Sequence, residues 1–142
     1  GWRPHNLGVQ AGLVQFAGTL FFNANTAGAL ISGLGATGRD ILVWTPNMIG
    51  SVCFLVASQF AIMEVSHRAI SFQPRSVSWW ITAINMLGSI FFMISAVASF
   101  APPDAAALAP SIANLGTFLG GLCFFVAAYL LIPEMFEEPA GG

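Results

Sequence analysis

Charge in this sequence is confined to a few short segments. Between them run four apolar stretches, at about 6–32, 44–65, 77–100 and 111–135, with Lys, Arg, Asp or Glu only at their ends. Roughly 20 mostly apolar residues make a helix long enough to cross the hydrocarbon core of a bilayer. Lipid offers no partner to an open backbone polar group, so only helices and closed barrels can span it. The ten-residue alternation of a barrel strand is absent. The expected fold is therefore an all-α membrane protein, a bundle of four transmembrane helices.

Composition excludes the other broad classes. The chain is 56% hydrophobic and 7% charged, against about 25% charged residues in an ordinary soluble domain. Disordered chains have the opposite balance. A net charge of −2 gives no basic footprint for nucleic acid. Cys53 and Cys123 lie inside apolar stretches with no paired spacing, which argues against a disulfide framework or a zinc site. The chain opens Gly1-Trp2-Arg3-Pro4 without an initiator Met, as after processing or in a piece of a longer protein. Gln10, Gln15, Asn23 and Asn25 interrupt the first stretch, which reads as a span rather than a signal peptide. Residues 137–142 form a polar tail.

The connectors, 33–40, 66–75 and 101–110, carry the glycines, prolines and charges that stop helices. Arg3, Arg68 and Arg75 fall on one side of the expected topology and only Arg39 on the other. By the positive-inside rule both termini are cytoplasmic. Trp44, Trp79 and Trp80 stand near span starts, where amphipathic rings favour the interface.

One pattern occurs once in each stretch: Gln15-Phe-Ala-Gly18-Thr19-Leu-Phe21-Phe22, Asn47-Met-Ile-Gly50-Ser51-Val-Cys53-Phe54, Asn85-Met-Leu-Gly88-Ser89-Ile-Phe91-Phe92 and Thr117-Phe-Leu-Gly120-Gly121-Leu-Cys123-Phe124. Gly18 and Gly50 are 32 residues apart, as are Gly88 and Gly120, and the two pairs are offset by 70. At that offset Pro4 matches Pro74, Cys53 matches Cys123, Ile62 matches Ile132 and Glu64 matches Glu134. The pattern predicts two tandem helical hairpins, 1–70 and 71–142. Each crosses twice, so the halves should be related by a pseudo-two-fold axis along the membrane normal. Glycine followed by a small residue leaves a notch that a second backbone can approach, the usual basis of helix association in lipid. Gly18, Thr19, Gly50, Ser51, Gly88, Ser89, Gly120 and Gly121 are the expected packing residues, with Gly8-xxx-Gly12 and Gly116-xxx-Gly120 beside them.

With Trp44 and Trp80 ahead of the Asn-x-x-Gly-Ser segments, each hairpin resembles the YrhK-like domain of bacterial membrane proteins. Gly121 departs from its Ser or Thr. The resemblance implies a two-span hairpin used twice, placed in the cell (inner) membrane, and implies no chemistry.

Polar groups at membrane depth are costly and mark packing or function. Gln15, Asn23, Asn47 and Asn85 form a candidate intramembrane cluster, with a central contact expected between Gln15, Asn47 and Asn85. Glu64 and Glu134 end the second and fourth stretches, where the helix dipole is unfavourable to a carboxylate. His67 and Arg68 are within helical reach of Glu64, making a candidate interfacial charge cluster. His5 and His67 both fall at the cytoplasmic face rather than at the depth a haem between helices needs. Gly33-Leu-Gly35-Ala-Thr-Gly38 matches a phosphate-loop spacing but joins two spans, so it lacks the strand-to-helix context. No catalytic constellation, metal site or cofactor is expected. A structural or accessory membrane protein is, with the bilayer and a second copy or larger membrane complex as partners. The alternative is a small transporter or channel lined by the amides of the first three spans.

Overall fold

The computed structural model of this chain describes residues 6–66, 73–100 and 109–136, without side-chain detail at 66, 109, 134 and 135. Helix α1, Leu7–Ala29, starts where Asn6 Oδ1 accepts the Gly8 N–H at 2.9 Å, a side-chain cap for an otherwise orphan donor. The chain turns at Gly33, whose φ of 81° suits a residue without Cβ. A short helix α2, Ala36–Arg39, then runs through a π-helical turn, Asp40–Trp44, into α3, Thr45–Ser66. Helix α4 is Val77–Ala98, capped by Ser76, and α5 is Ala109–Phe136.

Every regular element among the described residues is helical. Among the described residues, three helical stretches are long and apolar enough to cross a membrane: Ala36–Val65, Val77–Ala98 and Pro110–Pro133. The 23-residue α1 is long enough but is not among them, because its four amides dilute an otherwise apolar helix. The second stretch also begins eight residues before the sequence suggests, since 36–39 is helical rather than loop.

The π turn has an identifiable cause. Pro46 has no N–H, so the carbonyl of Leu42, four residues earlier, loses its α-helical donor. The backbone widens by one residue there, and Thr45 Oγ1 donates to Asp40 O at 2.7 Å. The freed Leu42 carbonyl presses on Gly28 of α1, and a Cβ at Gly28 would overlap that oxygen.

The interior is richer in small and hydroxyl side chains than a water-soluble core, with Phe54, Ile81 and Phe92 buried among them. Ser51, Ser58 and Ser89 are buried along with Ala57, Ala96 and Ala127. Phe16, Phe118 and Phe125 are exposed over 62%, 66% and 69% of their surface. In water such a surface would aggregate; in lipid the acyl chains solvate it, and small residues gather where backbones meet.

Each long helix packs antiparallel on the next: α1 on α3, α3 on α4, α4 on α5, whereas α1 and α5 barely touch. The motif glycines set the closest approaches. A Cβ on Gly50 would lie 3.1 Å from Gly18 O, and one on Gly120 would lie 3.1 Å from Gly88 O. Cβ atoms on Gly18 and Gly88 would meet Cys53 Cβ at 3.0 Å and Cys123 Cβ at 2.9 Å. Four residues after each glycine stands a phenylalanine, and these four rings meet between the helices. Phe22 and Phe92 are 4.7 Å apart edge-on, Phe54 and Phe124 5.2 Å, and Phe54 and Phe92 5.5 Å. Offset and edge-on contacts are the favoured aromatic geometries.

Candidate functional site

In three of the four motifs the hydroxyl after the glycine donates to the backbone carbonyl of the amide residue three positions before that glycine. Thr19 Oγ1 donates to Gln15 O at 3.0 Å, Ser51 Oγ to Asn47 O at 2.8 Å and Ser89 Oγ to Asn85 O at 2.9 Å. A hydroxyl bonded back to its own helix can enter lipid or a seam without an unpaired donor. The fourth motif has Gly121 there, exposed, with open space around its missing Cβ.

Two of those hydroxyls also build the α3–α4 seam. Ser51 Oγ approaches Phe92 O at 3.2 Å, and Ser58 Oγ and Ser89 Oγ are 2.8 Å apart. Trp44 Nε1 donates to Ala96 O at 3.1 Å while its ring rests 4.4 Å from that of Phe100. Trp44 thus clamps two helices rather than only marking an interface. The α4–α5 seam is tied by Ser95, whose Oγ donates to Ala113 O and lies 2.7 Å from Thr117 Oγ1. Gly116 makes room for it: a Cβ there would fall 3.0 Å from Ser95 Cβ and 2.8 Å from Phe91 O.

The expected contact between Gln15, Asn47 and Asn85 does not form. Their side-chain amides make no hydrogen bond among the described residues. The reason is the antiparallel threading. Gln15 precedes Gly18 by three residues and Asn47 precedes Gly50 by three, but α1 and α3 run oppositely with those glycines in contact. Each amide is then about 4.5 Å from the glycine layer, on opposite sides. Gln15 and Asn85, on parallel helices, share one side; Asn47 stands alone on the other and is buried, with 8% exposure. Asn23 is exposed on α1.

Of the packing residues, Gly18, Gly50, Gly88 and Gly120 lie in seams; Gly12 and Gly121 face open space. Glu64 is placed against the first turn of α1, where a Cβ on Gly8 would sit 2.8 Å from its Cδ. The end of α1 that attracts a carboxylate is thus beside the end of α3 that repels one. His67 and Arg68 lie outside the described residues, as does the side chain of Glu134.

Sequence reasoning missed Ser58, Ser95 and Gly28 as seam residues. Ser58 follows Ser51 by seven residues, two helical turns on the same face, which was the available signal. Pro46 inside an apolar stretch was the signal for the π turn. Comparison with protein-family models, curated proteins and solved structures finds no match.

Proposed function

We propose that this chain is a four-span membrane protein of two tandem hairpins, acting as a structural or accessory component that binds further membrane helices through the open α1–α5 side. The single observation that carries it concerns equivalent faces. On the π turn and α3, Trp44, Ser51 and Ser58 lie seven residues apart and all bond across to α4. Seventy residues on, Asn114, Gly121 and Ala128 occupy the same positions of α5 and are exposed. On α1, the positions matching Ser89 and Ala96 are Thr19 and Thr26, also exposed. A face of amide, glycine and alanine has little to gain from lipid and much from another helix. Repeated head to tail, the α3–α4 contact would set α5 of one copy on α1 of the next, a heterologous interface. The matched glycine contacts of the two hairpins and their likeness to the YrhK-like domain accord with the duplication. On this reading α1 also spans, its amides turned to neighbours rather than to lipid. Both termini are cytoplasmic, in a cell (inner) membrane.

The test is gentle extraction from the native membrane, then native mass spectrometry with identification of what stays bound. A stoichiometric partner or a homo-oligomer is expected, lost in Gly121→Leu while helicity is kept. A monomer would overturn the proposal. So would solute flux through liposomes carrying the purified chain that Gln15→Leu with Asn85→Leu abolishes, which would establish the small transporter or channel instead.

A further inference from the structure

A crevice of about 900 Å³ opens at one membrane end of the fold, between the C-terminal ends of α1 and α4 and the π turn. That volume lies in the range of small-molecule and lipid-headgroup sites. Ile31 and Phe100 contribute apolar wall, and Trp44 is held in place by its bond to Ala96 O and its stacking on Phe100. The wall is therefore preformed.

The polar groups lining it divide into those already bonded and those still open. The Trp44 indole and the Ser99 hydroxyl both donate to Ala96 O. The side chains of Arg39, Asp40 and Asn47 make no hydrogen bond or ion pair among the described residues. Arg39 and Asp40 are exposed, adjacent and opposite in charge. Asn47 is more than nine-tenths buried. An amide so buried without a partner is costly and uncommon, which is the strongest sign that the crevice takes a ligand.

From these groups we infer that the crevice binds a zwitterionic phospholipid carrying a primary ammonium. The Arg39 guanidinium presents a planar fork of donors to the phosphate. The Asp40 carboxylate accepts from the ammonium. About 12 Å further along the helix, Asn47 both donates and accepts, as a glycerol ester carbonyl and a nearby hydroxyl or water require. Ile31 and Phe100 meet the start of the acyl chains. A purely anionic lipid would satisfy Arg39 and leave Asp40 repelling it, so net charge alone is not what the site reads. The inference does not rest on the association reading, since no α5 residue lines the crevice and its polar groups, Arg39, Asp40 and Asn47, belong to neither α1 nor α5.

The experiment is native mass spectrometry of the full chain in detergent with an equimolar mixture of phosphatidylethanolamine and phosphatidylglycerol. One retained phosphatidylethanolamine is expected. Arg39→Gln and Asp40→Asn, both at exposed positions, should each weaken retention roughly tenfold or more, the scale of a lost charge-assisted bond. Asn47→Leu should weaken it too, while Arg75→Gln, outside the crevice, should not. Equal retention of the two lipids would overturn the inference. So would wild-type retention in both charge variants, or an equal loss in Arg75→Gln.

Discussion

The hydroxyls of Ser58 on α3 and Ser89 on α4 lie 2.8 Å apart, both buried, and Ser89 also bonds back to Asn85 O. This pair joins α3 of the first hairpin to α4 of the second. In lipid, where apolar contact alone hardly favours one helix over an acyl chain, close fit and such bonds decide which faces meet.

Ser58→Ala or Ser89→Ala should each destabilise the fold by about 0.5–1.5 kcal/mol, since each leaves a buried hydroxyl without its cross-helix partner. The double variant should cost less than the sum of the two. Reversible unfolding in mixed micelles gives the cycle. Strict additivity would show that the pair does not couple the hairpins.

Gly50→Leu and Gly120→Leu should each destabilise by roughly 1–3 kcal/mol or more, because a Cβ already meets a carbonyl 3.1 Å away and the rest of the side chain has nowhere to go. Gly12→Leu faces open space and should leave the fold unchanged. If Gly12→Leu were as harmful as Gly120→Leu, the seams would be misassigned.

Phe92→Ala removes a ring that touches Phe22, Phe54 and Phe124. About 3 kcal/mol should be lost, with a cavity at the centre. Phe125→Ala, on the exposed side of α5, should lose little. Melting temperatures in one detergent order the two; the reverse order would refute a central aromatic cluster.

Gly28→Ala should destabilise, because its methyl would overlap Leu42 O. In a Pro46→Ala background the Leu42 carbonyl regains an α-helical donor and can draw back from α1. The Gly28→Ala cost should then shrink. An unchanged cost in both backgrounds would mean that Pro46 is not what turns this carbonyl outward.

Much of the architecture was legible in the chain. Pro46 is the clearest case of a local signal with a distant effect: it predicts a broken helical bond, but nothing local says that the freed carbonyl will meet Gly28. Likewise the motif marks Gly18, Gly50, Gly88 and Gly120 as notches. It marks Gly121 equally, and Gly121 packs on nothing among the described residues. The Gln15, Asn47 and Asn85 cluster misled for a simpler reason. Equivalent positions in a sequence motif fall at opposite heights when successive helices run in opposite directions.

By itself the sequence determined the element type. Its long uncharged stretches are helical throughout the described residues, and three of these helices are long and apolar enough to cross a membrane. It also determined where backbones can approach, since only glycine and small residues leave the space. Which face meets which helix was decided by the tertiary structure alone. Helices apolar on nearly every side have no amphipathic stripe to point inward, so hydropathy cannot rank their faces. That choice fell to steric fit between glycine notches and Phe22, Phe54, Phe92 and Phe124, and to serines such as Ser58 and Ser89 that find partners only once the helices are side by side.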